Sequence, residues 1–105
     1  MAWKIIWSSF AEQQIAEIHE YYLREVSVRV AKKIATGIIK SPNSLLKNPE
    51  LGPLELSLSQ LQTEYRYIVY KSYKIIYSIN WSENQIKVAD VFDTRQGPKK
   101  LQRRK

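Results

Sequence analysis

An α+β fold follows from three features of the sequence: a short N-terminal run with period two, two apolar stripes at helical spacing, and three further period-two runs that close the chain. That order places a two-helix hairpin between one strand and three antiparallel strands. The helices are expected to pack on one face of a mainly antiparallel sheet.

The first strand is Trp3–Trp7, where Trp3, Ile5 and Trp7 alternate with Lys4 and Ile6. Ser8 or Ser9 then offers a hydroxyl to the free N–H groups of a first helical turn. Ala11, Ile15, Ile18, Tyr22 and Val26 form the apolar stripe of that helix, with Glu12, Gln13, Glu17, Glu20 and Arg24 mostly elsewhere. Ser27 caps a second helix whose buried side runs through Val30 or Ala31, Ile34, Ile38 and Leu45. So short a break between two amphipathic helices reads as an αα-hairpin. Pro42 interrupts the second helix, and Ser41 is placed to recap it with Pro42 in the first helical position. Asn48-Pro49-Glu50-Leu51-Gly52-Pro53 ends it.

Residues 54–62 alternate loosely through Leu54, Leu56 and Leu58, which fits a strand or a loop. Two clear strands follow, Glu64–Tyr70 and Tyr73–Asn80, joined by Lys71-Ser72. A last strand, Ile86–Phe92, is reached through Ser82-Glu83-Asn84-Gln85.

With Lys71-Ser72 as the turn, Tyr70 faces Tyr73, Val69 faces Lys74 and Arg66 faces Tyr77. One side of the hairpin then carries Arg66, Ile68, Tyr70, Tyr73, Ile75, Tyr77 and Ile79, and is expected to meet the helices. The other carries Tyr65, Tyr67, Val69, Lys74, Ile76 and Ser78. Interleaved aromatic and basic side chains on a sheet can stack bases and hold phosphates. The same pattern also fits an ordinary strand whose tyrosines leave their hydroxyls wet.

The 105 residues suit one domain, 1–105, with a modest core. Cysteine is absent, which removes disulfides and thiolate metal sites. There is no signal-peptide pattern and no apolar run near the roughly 20 residues of a membrane span, so a cytoplasmic protein without membrane contact is expected. The formal net charge is +7. Lys99, Lys100, Arg103, Arg104 and Lys105 supply five of the 17 basic residues; the other 12 stand against 10 acids, so the body is nearly balanced and 99–105 is a basic tail. Such a tail suits a polyanion or an acidic protein, or is a solvated end.

Much chemistry is missing. Three glycines, Gly37, Gly52 and Gly97, make no phosphate-binding loop, and no metal-ligand cluster or cofactor motif is present. His19 is the single histidine and lies beside the first helix's apolar stripe. One further motif leaves the last strand: Asp93-Thr94-Arg95-Gln96-Gly97-Pro98-Lys99-Lys100-Leu101. Arg95 is placed to grip a phosphate or carboxylate bidentately, to pair with Asp93, or to cap the turn.

Taken together these segments resemble the RelE/ParE superfamily of toxins from type II toxin–antitoxin systems over nearly the full chain. The resemblance is carried by the opening strand followed by Ser and a long helix with Ile15-Ala16-Glu17-Ile18 and Tyr21-Tyr22. It continues through Asn48-Pro49-Glu50-Leu51-Gly52, Tyr65-Arg66-Tyr67-Ile68-Val69, Tyr73-Lys74-Ile75-Ile76-Tyr77 and Asp93–Leu101. It implies a plasmid-stabilisation-type toxin that inhibits growth, needs no cofactor and is neutralised by a cognate antitoxin covering its working surface.

Members of the superfamily either cleave mRNA on the ribosome, as RelE does, or inhibit DNA gyrase, as ParE does. Metal-free RNA cleavage needs acid–base groups and cations on the phosphate. Against the RelE pattern, Lys74 and Arg95 keep basic character and are the catalytic candidates if the chain is a nuclease. Tyr65 and Tyr67 stand where that pattern has lysines, and Leu101 where it has a tyrosine. The resemblance therefore leans to a ParE-like binding protein. Its expected contact residues are Tyr65, Tyr67, Lys74, Arg95, Lys99, Lys100, Arg103 and Arg104. A ribosome-dependent ribonuclease and an inactive antitoxin-binding relative are the alternatives.

Overall fold

The computed structural model describes residues 2–96. Strand β1 is Lys4–Trp7, helix α1 Ser9–Glu25, helix α2 Val28–Lys40, and strands β2, β3 and β4 are Arg66–Tyr70, Tyr73–Asn80 and Gln85–Asp93. The strands form one sheet in the order β1-β4-β3-β2. Neighbours β2–β3 and β3–β4 run antiparallel, and β1 lies parallel to β4 with Lys4 opposite Gln85. The architecture is the α+β arrangement expected, with the first strand placed beside the last.

Both helix starts follow from hydroxyl caps. Ser8 accepts from the Ala11 N–H at 2.9 Å, and Ser27 accepts from Val30 at 3.1 Å. Ser8 also donates its hydroxyl to the Ala89 carbonyl at 3.0 Å, tying α1 to β4. Val26 leaves the expected stripe: it is the C-cap residue of α1, bends away from helical geometry and is 57% exposed. Ser41 does not recap a new helix. It keeps helical angles as the C-cap of α2, donates to the Gly37 carbonyl, and a 3-10 helix, Ser41–Leu46, continues without a break. Pro42 fits there because the first turn has no use for its missing N–H, and its ring is buried.

The hairpin register is the one the turn implies: Arg66 pairs with Tyr77, Val69 with Lys74 and Tyr70 with Tyr73. The turn lacks glycine, and Lys71 takes the left-handed conformation at φ 53°. The expected strand 64–70 is shorter than the sequence suggests, beginning at Arg66. Residues 54–62 resolve mainly into a 3-10 turn, Leu56–Leu58, with one bridge from Leu54 to Arg66.

The main core lies between helices and sheet. Ala11, Ile34, Ile38 and Leu45 meet Tyr73, Ile75, Tyr77, Ile86, Val88 and Val91, with Trp3, Ile5 and Trp7 packed alongside. A break in register between Ile76 and Tyr77 sets Tyr77 opposite Val88 and Ile76 opposite Asp90, leaving Ala89 as an extra residue on β4. The bulge shifts the alternation of β4, so Val88 and Val91 both reach the main core while Phe92 joins a second, smaller cluster.

Beneath the main core, Tyr77 and Arg66 fix the segment after α2. The Tyr77 hydroxyl donates to the Pro49 carbonyl at 2.6 Å and accepts from Gly52 N–H at 3.1 Å. Arg66 donates to the Gly52 carbonyl at 2.8 Å. A Cβ at Gly52 would collide with the Tyr67 carbonyl and come within 2.9 Å of the Tyr77 hydroxyl, so only glycine passes here.

Candidate binding face

Strand alternation puts Tyr67, Lys74 and Ile76 on the sheet face away from the helices. Ile76 and Phe92 are buried there against Leu58, Tyr65 and Tyr67, so part of the face is a small core under residues 54–63. Lys74 lies over the Tyr67 ring, its ammonium 4.2 Å from the centroid. The structure thus brings together three of the expected contact residues, Tyr65, Tyr67 and Lys74.

Lys74 is not free. Its ammonium donates to Glu55 at 2.8 Å, and Glu55 is 6% exposed. The Ser57 hydroxyl donates to the other Glu55 oxygen at 2.6 Å, with the Ser57 N–H at 3.3 Å. Burial pushes the Glu55 carboxyl up, but the hydrogen bonds from Lys74 and Ser57 and the charge of Lys74 outweigh it and hold the group below its ordinary value.

Arg95 lies elsewhere. It donates to Asp93 through Nε at 3.0 Å and Nη2 at 2.9 Å, a bidentate pair of the kind its position two residues on allows. Those bonds lower the Asp93 carboxyl and make the guanidinium harder to deprotonate. Its next neighbour is the Tyr22 hydroxyl on α1, which is 3.2 Å from that of Tyr73. Burial first, and then Tyr22, push the Tyr73 phenol up. The expected site therefore divides in two: Lys74 with the open sheet face, Arg95 with tyrosines of the helix side. Lys99, Lys100, Arg103 and Arg104 lie outside the described residues.

The sequence did not point to Glu55, whose partner is 19 residues away, nor to Asp90, a carboxylate on β4 only 1% exposed. Glu55 sits among exposed leucines, and a lone acid in such a run is the signal available. Among the described residues there is no group of three or more His, Cys, Asp or Glu placed to hold a metal, and no helix long and apolar enough to cross a membrane.

The combination is a small α+β scaffold whose sheet offers one aromatic and basic face. The family model of the ParE toxin of type II toxin–antitoxin system, parDE, matches residues 5–98, and the chain belongs to that family. Among solved structures it is similar to one titled "Chromosomal ParDE TA system from P. aeruginosa", with 13% identity and a TM-score of 0.70 over 87% of this chain and 95% of that one. At that identity the likeness shows the fold. No curated protein matches the chain.

Proposed function

We propose that this ParE-family chain is a cytoplasmic toxin, neutralised by a cognate antitoxin, that inhibits DNA gyrase by binding and performs no bond chemistry of its own. The observation that carries the reading is the pairing of both candidate cations. Lys74 is bound to Glu55 at 2.8 Å and Arg95 to Asp93 at 2.9 Å. A lysine committed to a buried carboxylate is a poor phosphate clamp, and no histidine stands by to move a proton: His19 is on α1. Loss of one acid–base group typically costs about 10²–10⁴-fold in rate. Binding tolerates such pairing, since a paired cation still presents N–H groups and hydrocarbon surface. In this reading Tyr65, Tyr67 and Lys74 form one contact surface, Arg95 makes a separate contact, and Lys99, Lys100, Arg103 and Arg104 of the basic tail are further contact residues. The family's ParDE organisation supports an antitoxin partner.

Expression of the chain alone in bacteria tests the proposal. Growth arrest with intact mRNA and gyrase-linked DNA breaks is the expected result. Codon-phased mRNA cleavage overturns it in favour of a ribosome-dependent nuclease. Unimpaired growth overturns it in favour of a relative that only binds its antitoxin.

A further inference from the structure

The two helices carry opposite charge. Helix α1 holds Glu12, Glu17, Glu20 and Glu25 against Arg24. Between Glu25 and Glu50 the chain contains no acid, and it holds Arg29, Lys32, Lys33, Lys40 and Lys47, all exposed. Among the described residues none of these cations has an ion-pair partner, whereas Arg24, Arg66, Lys74 and Arg95 each do. On α2 the cations fall in one row. Arg29, Lys32, Lys33 and Lys40, with Thr36 between them, occupy about 100° of the helix circumference and extend about 16 Å along it. The row lies opposite the buried Ile34 and Ile38. It works against the helix's own stability. Arg29 stands in the first turn, where the helix dipole favours an acid and α2 has none. Arg29 is also a neighbour of Lys32 and Lys33 on the helix surface, so like charges meet.

Unpaired cations in a row on a rigid element suit a regularly spaced polyanion. Ala31, Ile34 and Ile38 are buried, so the apolar face of α2 is committed to the core and is not free to enter a membrane. The helix has no aromatic side chain, so it offers no platform on which unpaired bases could stack. A convex row of cations instead matches the backbone of a duplex, which carries one charge per about 1.7 Å of its axis. We propose that the outer face of α2 is a docking surface for the phosphate backbone of double-stranded DNA, engaged without regard to sequence. Arg29, Lys32, Lys33 and Lys40 are the contacts, and Lys47 extends them past the end of the helix. The acids of α1 repel the same backbone and confine the duplex to the α2 side of the helix layer. The choice of DNA over duplex RNA rests on reading the chain as acting on gyrase; the cation row does not.

The test titrates the full chain into a short fluorescent DNA duplex of mixed sequence and follows anisotropy over a range of salt concentrations. Arg29→Gln, Lys33→Gln and Lys40→Gln are combined in one variant. It is expected to bind at least about tenfold more weakly at low salt, and to make the plot of log affinity against log salt shallower by roughly 2 to 3, since each phosphate contact contributes about 0.9. A control variant combines Lys4→Gln, Lys71→Gln and Lys87→Gln, the same change in net charge on exposed lysines elsewhere. It is expected to leave the slope nearly unchanged. The basic tail is intact in both variants, so its contribution cancels. Arg29→Glu gives a second readout that separates binding from folding. Its acid meets the helix dipole and Lys33, so the urea midpoint is expected to rise while the affinity for the duplex falls. No binding by the unmodified chain at low salt, an unchanged slope in the α2 variant, or an equal loss in the control variant overturns the proposal. So does tighter binding to single-stranded DNA, to duplex RNA or to phosphatidylserine vesicles. The assay contains no gyrase, so a failed DNA surface and a failed gyrase reading are told apart.

Discussion

The Tyr77 hydroxyl donates a 2.6 Å hydrogen bond to the carbonyl of Pro49, 28 residues earlier in the chain. Tyr77 is fully buried, and the same oxygen accepts from Gly52. Tyr77→Phe keeps the ring but leaves a carbonyl and an N–H without their partner. The expected loss is about 1–3 kcal/mol of stability, read as a lower urea midpoint with an unchanged slope.

Gly52 is constrained from the same side. Gly52→Ala drives a methyl group into the Tyr67 carbonyl, a backbone atom held in the sheet that cannot step aside. Overpacking of this kind typically costs about 1–3 kcal/mol. An urea-unfolding midpoint equal to that of the unmodified chain would show that the segment moves freely, and would contradict the fixed position drawn for it.

The two helix caps differ in what else they hold. Ser27 only caps α2, so Ser27→Ala is expected to cost about 1 kcal/mol. Ser8 caps α1 and also donates to Ala89 at the bulge. Ser8→Ala is expected to cost about 2 kcal/mol, the cap plus one hydrogen bond. Calorimetry on both variants checks the order.

Asp93 gives a pH dependence of known sign. Hydrogen bonds from Arg95 put its folded-state value below the ordinary 3.8. The stability it contributes is therefore complete above the ordinary value and is lost as the pH falls through the folded one. Arg95→Gln is expected to raise the Asp93 carboxyl-carbon titration midpoint towards the ordinary value, and to flatten the acid limb of the stability profile. Because Arg95 is exposed, added salt is expected to shrink the difference between variant and parent.

Much of this fold is written in local patterns. The cap positions, the two-residue turn and the pairing of Arg66 with Tyr77 all follow from spacing and hydroxyl placement within a few residues. The family, too, is legible from short motifs in order. What escapes local reading depends on distant partners. Leu54–Leu58 alternates like a strand, yet it forms a bridge and a 3-10 turn because Glu55 reaches Lys74. The shift of β4 at Ala89 carries no glycine to announce it and is visible only against the register of β3. Lys74 and Arg95 were found by type and position, but their pairing with Glu55 and Asp93 changes what each can offer a ligand. Of those two pairs only Asp93–Arg95 is close enough in sequence to be proposed from it.

The parallel contact of β1 with β4 has a bearing on how the molecule comes into being. Lys4 finds its partner in Gln85, and Ser8 finds Ala89 across 81 residues. Pairings of such separation must close a long loop before any contact rewards it, which makes them late and slow steps in folding. During synthesis β1, with Ile5 and Trp7, therefore waits for β4. Until then β1 has no neighbour and β3 lacks one of its two. The topology acts as a delay, separating translation of this chain from completion of its sheet.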